Sequence, residues 1–422
     1  MNSGSVTCFI SPRSFGRLLL IAFLVALSPV LLTAKTVVFW QRGFPTVDSS
    51  PVDHDALSKA LSGAVFADLK TLNDPATLDG ADLLVLPYGS AVSTDAWKAI
   101  RAYLRAGGNL LVIGGQPLHV PVTEADGKFR EDTPQDTYAH ALQFNHTYAV
   151  PVSSSAHFAW KHGYAFDETP TIRARRYFAV EGHLDGLGYM VDSTGLLVAA
   201  PAIVANYGWG PLQGSRVVAL DFDAEPGYWQ SADGIALIKQ AALYASQGAT
   251  QFSVELQFSA IRPGETPQIT VHLKSPHLAK TQAKLAGEVK VQINSEKGLV
   301  DSATLAVADA ATADLPVPAK SDLAPGFYTV TATFSAGGKL REFYQNGFWV
   351  QPESAVKTGP VIGVHGDFLS EDGQPFFPVG TNYFTTEENG WDFSESRNAS
   401  VWEKDFAEMA AHGVNFVRTG VW

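Results

Sequence analysis

From residue 35 to about residue 248, short apolar runs alternate with segments of helical period. "TVVFW" (36–40) and "ADLLVLPYG" (81–89) are continuous apolar runs that predict strands buried on both faces. "DHDALSKALSG" (53–63) predicts a short helix between them. "STDAWKAIRAYLRAGG" (93–108) predicts a second helix. Trp97, Ile100 and Leu104 repeat on one face, Thr94 is placed to cap its start, and Gly107 and Gly108 are placed to stop it. "NLLVIGG" (109–115) and "SRVVALDF" (215–222) read as further strands, and "DGIALIKQAALYASQG" (233–248) as a closing helix. Strands alternating with helices predict an α/β doubly wound domain with a parallel sheet. The stretch 116–214 is too long for a plain loop, so added β-hairpins covering the sheet are expected there.

The pattern changes after residue 249. "QFSVELQF", "PQITVHLK", "GEVKVQIN", "GFYTVTATF" and "REFYQNGFWV" alternate apolar and polar residues between Gly, Pro and Asp turns. Residues 250–352 therefore read as an all-β sandwich with the size and spacing of an immunoglobulin-like module. "QPESAVKTGP" (351–360) reads as a linker. Beyond it come a hairpin turning at Glu371–Gly373, a strand over 377–383 and a polar loop to Asn398. Ser400 and Glu403 have capping-box spacing, and Trp402, Phe406 and Met409 then share one helical face. Gly413 stops that helix, and "VNFVR" is the next strand, which makes β–loop–α–β with a parallel crossover. The expected division is 1–34, 35–249, 250–352 and 353–422.

The first of these segments is a targeting signal by its pattern. Arg13 and Arg17 precede the apolar stretch "LLLIAFLVALSPVLL" (18–32), and no acidic residue occurs before Lys35. The stretch is short for a membrane span and suits a secretory signal peptide cleaved after Ala34, the other reading being an uncleaved anchor. A secreted or periplasmic protein is expected, with no membrane association after cleavage. The only cysteine is Cys8, so the chain from Lys35 onward has no disulfide, thiolate metal site or cysteine nucleophile.

The 422 residues carry a net charge of −12 without any run of Lys or Arg. That excludes the concentrated basic face a nucleic-acid partner needs. Aromatic residues are 11%, with nine Trp, which suits neutral substrates such as sugars and equally suits an ordinary core. "DFDAEPG" (221–227) opens like a calcium loop, but Pro226 and Ala232 stand where such a loop needs Gly and Glu, so a strand end entering a turn is the better account. No H-E-x-x-H occurs among the eleven His, and no metal or organic cofactor is expected. Asn145-His146-Thr147 matches a glycosylation sequon, a pattern common by chance.

Two resemblances add to this. "DLLVLPYG", "GGNLLVIGGQP" and "VVALDFDAEPGYWQSADGIALIKQAALYA" resemble the class I glutamine amidotransferase-like superfamily. Active members carry a cysteine on the sharp turn after the strand matching "LLVIGG". Here that turn is Gly114-Gly115-Gln116, and no G-x-S-x-G elbow replaces it. The resemblance therefore implies a non-catalytic relative, left with packing, interdomain contact or sugar binding.

"DGQPFFPVGTNYF" followed by "WEKDFAEMAAHGVNFVRTGVW" resembles the opening of the (β/α)8 TIM barrel of clan A glycoside hydrolases, family 5 in particular. In such barrels the site is built from strand carboxyl ends. Asn382 and Tyr383 fall at the end of the first strand and Arg418 at the end of the second. In the family an arginine there supports the nucleophilic glutamate, and Arg418 matches its place; a structural ion pair is the other reading of an arginine in an apolar strand. Trp391 and Trp422 are candidates for stacking on sugar rings, or are packing residues. The acid/base and nucleophile carboxylates of the family lie on strands four and seven. Glu387, Glu388 and Glu395 match neither, so these carboxylates are expected beyond Trp422, on a longer parent of which this sequence is the N-terminal part. The implied function is hydrolysis of O-glycosyl bonds in a poly- or oligosaccharide, with this 422-residue chain itself inactive. The alternative is a non-catalytic carbohydrate-binding or assembly protein built on the amidotransferase-like and sandwich domains. The oligomeric state is not legible.

Overall fold

The structure, a computed structural model, describes residues 35–144, 147–149, 155–161, 172–173, 176–178, 184–208, 210–275, 285–337, 339–356, 359–383 and 398–419. The signal segment, two residues of the 145–147 sequon, Trp391, Trp422 and the three loop glutamates lie outside them.

The first layer is an eight-stranded sheet. Its parallel half consists of β1 (Thr36–Phe39), β2 (Val65–Ala67), β3 (Leu83–Leu86), β4 (Leu110–Ile113) and a later strand described below. Val37 pairs with both Val65 and Leu84, and Val85 with Leu111. Consecutive residues of these strands feed opposite cores, because side chains alternate across a strand. Val37, Leu84, Leu110 and Val112 pack against Ile100 and Leu104 of a helix on one face. Val38, Leu83, Val85, Leu111 and Ile113 pack against two helices on the other. The helices are α1 (His54–Ala60), α2 (Trp97–Arg105) and α3 (Ala232–Ala245). The double winding predicted from the unbroken apolar runs is thus visible in which core each residue enters.

Two expectations for this layer need correction. Thr94 does not cap α2: its hydroxyl bonds the Val122 carbonyl, while Ser93 Oγ accepts from Ala96 N at 3.2 Å. Nor do the hairpins of 116–214 simply cover the sheet. β5 (His157–Trp160), β6 (Leu184–Val191) and β7 (Leu197–Asn206) extend it, followed by β8 (Arg216–Leu220). The order is β2-β1-β3-β4-β8-β7-β6-β5, with β8 parallel to β4 and the last three strands antiparallel. Their mixed apolar and small-residue sequences gave no sign of which edge they join. A hairpin of Val120–Ala125 and Lys128–Glu131 forms, with Ala91–Ser93, a separate small sheet.

The second layer is a sandwich. Three strands, β9 (Gln251–Leu256), β11 (Ile269–Lys274) and β14 (Thr312–Val317), form one sheet. The other has β10 (Ala260–Ile261), β12 (Leu285–Ser295), β13 (Gly298–Ala310), β15 (Gly326–Ala336) and β16 (Lys339–Val350). Their inner residues, among them Val254, Val271, Val291, Val330 and Phe334, form one core.

An ion pair in the interior ties the two layers. Arg216 at the start of β8 is fully buried and reaches Glu342 of β16 at 3.0 Å. Its Nε donates to Asn206 Oδ1 at 2.7 Å, another guanidinium nitrogen to the Tyr244 carbonyl at 3.2 Å, and the guanidinium lies 4.2 Å from the Tyr244 ring centre. Burial pushes the Glu342 carboxyl up from its ordinary range, against the pull of Arg216 and a bond from Thr250.

Residues 359–383 and 398–419 complete the described chain. β17 (Ile362–His365), β18 (Phe368–Glu371) and β19 (Gln374–Phe376) form an antiparallel meander, turning at Asp372 and Gly373, both at positive φ. β20 (Gly380–Asn382), α4 (Ala399–Ala411) and β21 (Phe416–Arg418) follow, with β20 and β21 parallel. The capping box is not formed. Asn398 caps α4, accepting from Ser400 N, and Glu403 instead accepts from Trp349 Nε1 of the sandwich at 3.1 Å.

Candidate functional site

Two places have the architecture of a site: the carboxyl ends of the parallel strands in the first layer, and the β20–α4–β21 unit.

At the first, β4 runs into Gly114 and Gly115, both at positive φ. A Cβ at Gly114 would stand 1.9 Å from Ser49 Oγ, and one at Gly115 2.4 Å from Ser90 N. Only glycine fits either the backbone conformation or the space. The neighbours that fill the space are themselves fixed, since Ser90 Oγ donates to Asp48 at 2.8 Å and Ser90 N to the Val47 carbonyl at 2.9 Å. Gln116, buried, donates to Asp136, which also lies 2.9 Å from His119 Nδ1. The turn therefore offers neither a nucleophile nor room for one.

"DFDAEPG" is a strand end and turn, with Gly227 at positive φ before the short helix Tyr228–Gln230. Among the described residues no group of three His, Cys, Asp or Glu is arranged to hold a metal, and no helix is long and apolar enough to cross a membrane.

In the second place, Asn382 and Arg418 are register partners at the carboxyl ends of two parallel strands. Tyr383, the next residue, turns the other way. Its ring lies 5.0 Å from Phe406 of α4, its hydroxyl donates to Asp405 at 2.7 Å, and it is buried. Alternation then puts Asn382 and Arg418 on the sheet face opposite the helix. Both are exposed, and no ion pair to Arg418 is found among the described residues. The structure thus brings Asn382 and Arg418 together and separates Tyr383 from them.

On that face Gly380, Asn382, Phe416 and Arg418 are all exposed. In the described part of 359–419 only Ser370, Tyr383, Asn398 and Ala399 are buried, whereas Phe377 is 81% and Phe416 50% exposed. What holds the unit is the sandwich. Asn346 of β16 accepts from Ala399 N at 3.1 Å and donates to the Val254 carbonyl at 2.8 Å. Asn398 donates to the Gln345 carbonyl at 2.8 Å, and Trp402 stacks parallel to Trp349 at 6.5 Å. Of these docking residues the sequence marked only Trp402, as part of a helical face, and it did not show what that face meets. Asn398 beside "ASVW" is the one further signal, an N-cap residue before a helical pattern.

No family model matches the chain, and no curated protein matches it. Among solved structures it is similar to glycoside hydrolases at low identity. A cold-adapted β-galactosidase from Rahnella sp. R3 is 13% identical over 67% of this chain and 41% of that one, with a TM-score of 0.32. A catalytic mutant of a GH42 β-galactosidase from G. stearothermophilus is 7% identical over 67% of this chain and 40% of that one, with a TM-score of 0.30. A β-glucuronidase from Parabacteroides merdae is 14% identical over 40% of this chain and 21% of that one, with a TM-score of 0.23. The chain spans less than half the length of each of these structures. Likenesses this loose carry no argument about its chemistry.

Proposed function

We propose that residues 361–422 are the opening βαβ of a glycosidase (β/α)8 barrel, in a secreted or periplasmic protein that hydrolyses O-glycosyl bonds of a poly- or oligosaccharide with retention. The observation that carries this reading is the pairing of Asn382 with Arg418 at the carboxyl ends of parallel strands, on the face away from the helix. In a barrel that face is the interior and that end is the catalytic end. An arginine there orients a carboxylate and holds it ionised, and it has no acid or base role of its own because guanidinium stays protonated. On this reading the two catalytic carboxylates belong to later barrel strands, outside these 422 residues. The uncovered Phe377 and Phe416 are the interior and flank those strands would bury. The first two layers serve as the frame: the sandwich holds α4 through Asn346, and the filled glycine turn leaves no room for a nucleophile after β4. The substrate is carbohydrate, and no metal or organic cofactor takes part.

The test is Arg418→Ala in a protein that carries these residues together with a complete barrel. kcat on aryl glycosides is expected to fall by at least about a hundredfold with the circular dichroism unchanged, because the nucleophile loses its charge partner and its orientation. Arg418→Lys should recover only part, since an ammonium lacks the planar two-pronged contact. A kcat near the parental value in Arg418→Ala makes the residue structural.

A further inference from the structure

Lys35 is the first described residue, and its surroundings are specific. Its backbone nitrogen donates to Asp82 Oδ2 at 2.8 Å, and Asp82 N donates back to the Lys35 carbonyl at 2.9 Å. Its side-chain ammonium turns onto the Asp79 carbonyl at 2.6 Å. β1 begins one residue later, with Thr36 in register with Leu83, and the next residues, Val37 and Val38, are fully buried. The peptide bond before Lys35 is also where the sequence places cleavage of the targeting segment, after Ala34.

We infer that Lys35 is the amino terminus of the mature protein and that Asp82 is the receptor for its α-ammonium group. Before cleavage this nitrogen is a neutral amide with one proton. Hydrolysis of the Ala34–Lys35 peptide bond adds water across it: the alanine carbonyl leaves as a carboxylate, and the lysine nitrogen becomes an ammonium with three protons. The bond to Asp82 then becomes a charge-assisted ion pair at a distance already suited to one. A cut one residue earlier or later moves the charge by more than 3 Å along the chain, off the carboxylate. Capture also closes a weak point. Chain termini fray unless tied down, and this one leads directly into the strand that joins β2 to β3. Asp79 and Asp82 are among the residues that line a groove of about 970 Å3 between the segment 72–82 and α2.

This inference rests on the export reading alone and is independent of any glycosidase activity. Its test begins with the full chain expressed in a host that exports it, followed by intact mass of the product. The expected mass starts at Lys35. A different first residue, or a product retaining 18–32, overturns the inference. The second step compares the native terminus with one extended by a single Gly before Lys35, each with Asp82 and with Asp82→Asn. Asparagine keeps an oxygen for the backbone N–H and removes only the charge, so all four proteins should fold. The extension is expected to lower the melting temperature by about 2 °C with Asp82 present and to have no effect in Asp82→Asn. Equal shifts in both backgrounds, or none in either, contradict the capture of the terminus by Asp82.

Discussion

Replacing Arg216 by Met is expected to destabilise the junction between the α/β layer and the sandwich far more than its size suggests. The side chain is fully buried and hydrogen-bonds Asn206, the Tyr244 carbonyl and Glu342, besides lying over the Tyr244 ring. Methionine fills most of the volume but leaves Glu342 in the interior without its cation. Arg341, the extra residue at a break in the β15–β16 register, also feels the Glu342 charge, but it is Arg216 that hydrogen-bonds the carboxylate. Breaking one side of a buried pair costs about 3–5 kcal/mol. Burial already holds the Glu342 carboxyl above its ordinary range, so without Arg216 it takes up a proton, which places the cost toward the lower end, about 3 kcal/mol. The double variant Arg216→Met, Glu342→Leu removes both charges together. Since desolvation outweighs the attraction within the pair, it should return to within about 1 kcal/mol of the parent or exceed it. Urea unfolding of the four proteins, followed by tryptophan fluorescence, gives the cycle directly. Single variants that each lose less than about 1 kcal/mol, with additive effects, refute the reasoning and make the pair incidental.

The same carboxyl sets a pH dependence. A folded pKa raised above the unfolded one gives stability that is full below the unfolded value and is lost as pH rises through the folded one, so the parent should lose stability relative to Glu342→Gln as pH is raised from about 4 toward neutrality. Arg216, Arg341, Thr250 and Asp185 are the groups that bias it, and a flat or opposite difference contradicts the stated balance. Gly115→Cys should yield no reactive thiol nucleophile and should cost about 2 kcal/mol or more, because the residue has φ +61° and its Cβ would meet Ser90; thermal melting and thiol titration check both. Asn346→Ala should release α4 from the sandwich, raising the rate of proteolytic cleavage after the sandwich about tenfold while the α/β layer stays intact.

The parts of the fold legible from sequence were those with an unambiguous period. Runs such as "LLVL" and "LLVI" have no polar face, so they could be placed only between two covering layers, and they enter two separate cores. The alternating strands of 250–352 specified one dry face, which is the sandwich core. What was not legible depends on partners distant in the chain. Thr94 has the chemistry of a cap, yet the neighbouring strand 120–125 takes its hydroxyl. Ser400 and Glu403 have capping spacing, yet Trp349 takes the glutamate and Asn398, two residues earlier, becomes the cap. Arg216 reads as an ordinary polar strand start until Glu342, which lies 126 residues away, is seen beside it. At the candidate site, spacing alone put Asn382, Tyr383 and Arg418 at strand ends. It did not show that Tyr383 faces α4, because the exact strand end decides which residue points inward.

The central claim, that this chain frames a retaining glycosidase barrel whose carboxylates lie on later strands, is tested most directly by trapping the glycosyl-enzyme. A longer protein containing residues 35–422 and a complete barrel, incubated with activated 2-fluoroglycosides, should gain one glycosyl unit in intact mass. Peptide mapping should place it on a glutamate after residue 422, and the 422-residue chain alone should gain nothing. An adduct on any residue of 35–422, or no adduct on the longer protein with any sugar of the panel, contradicts the account.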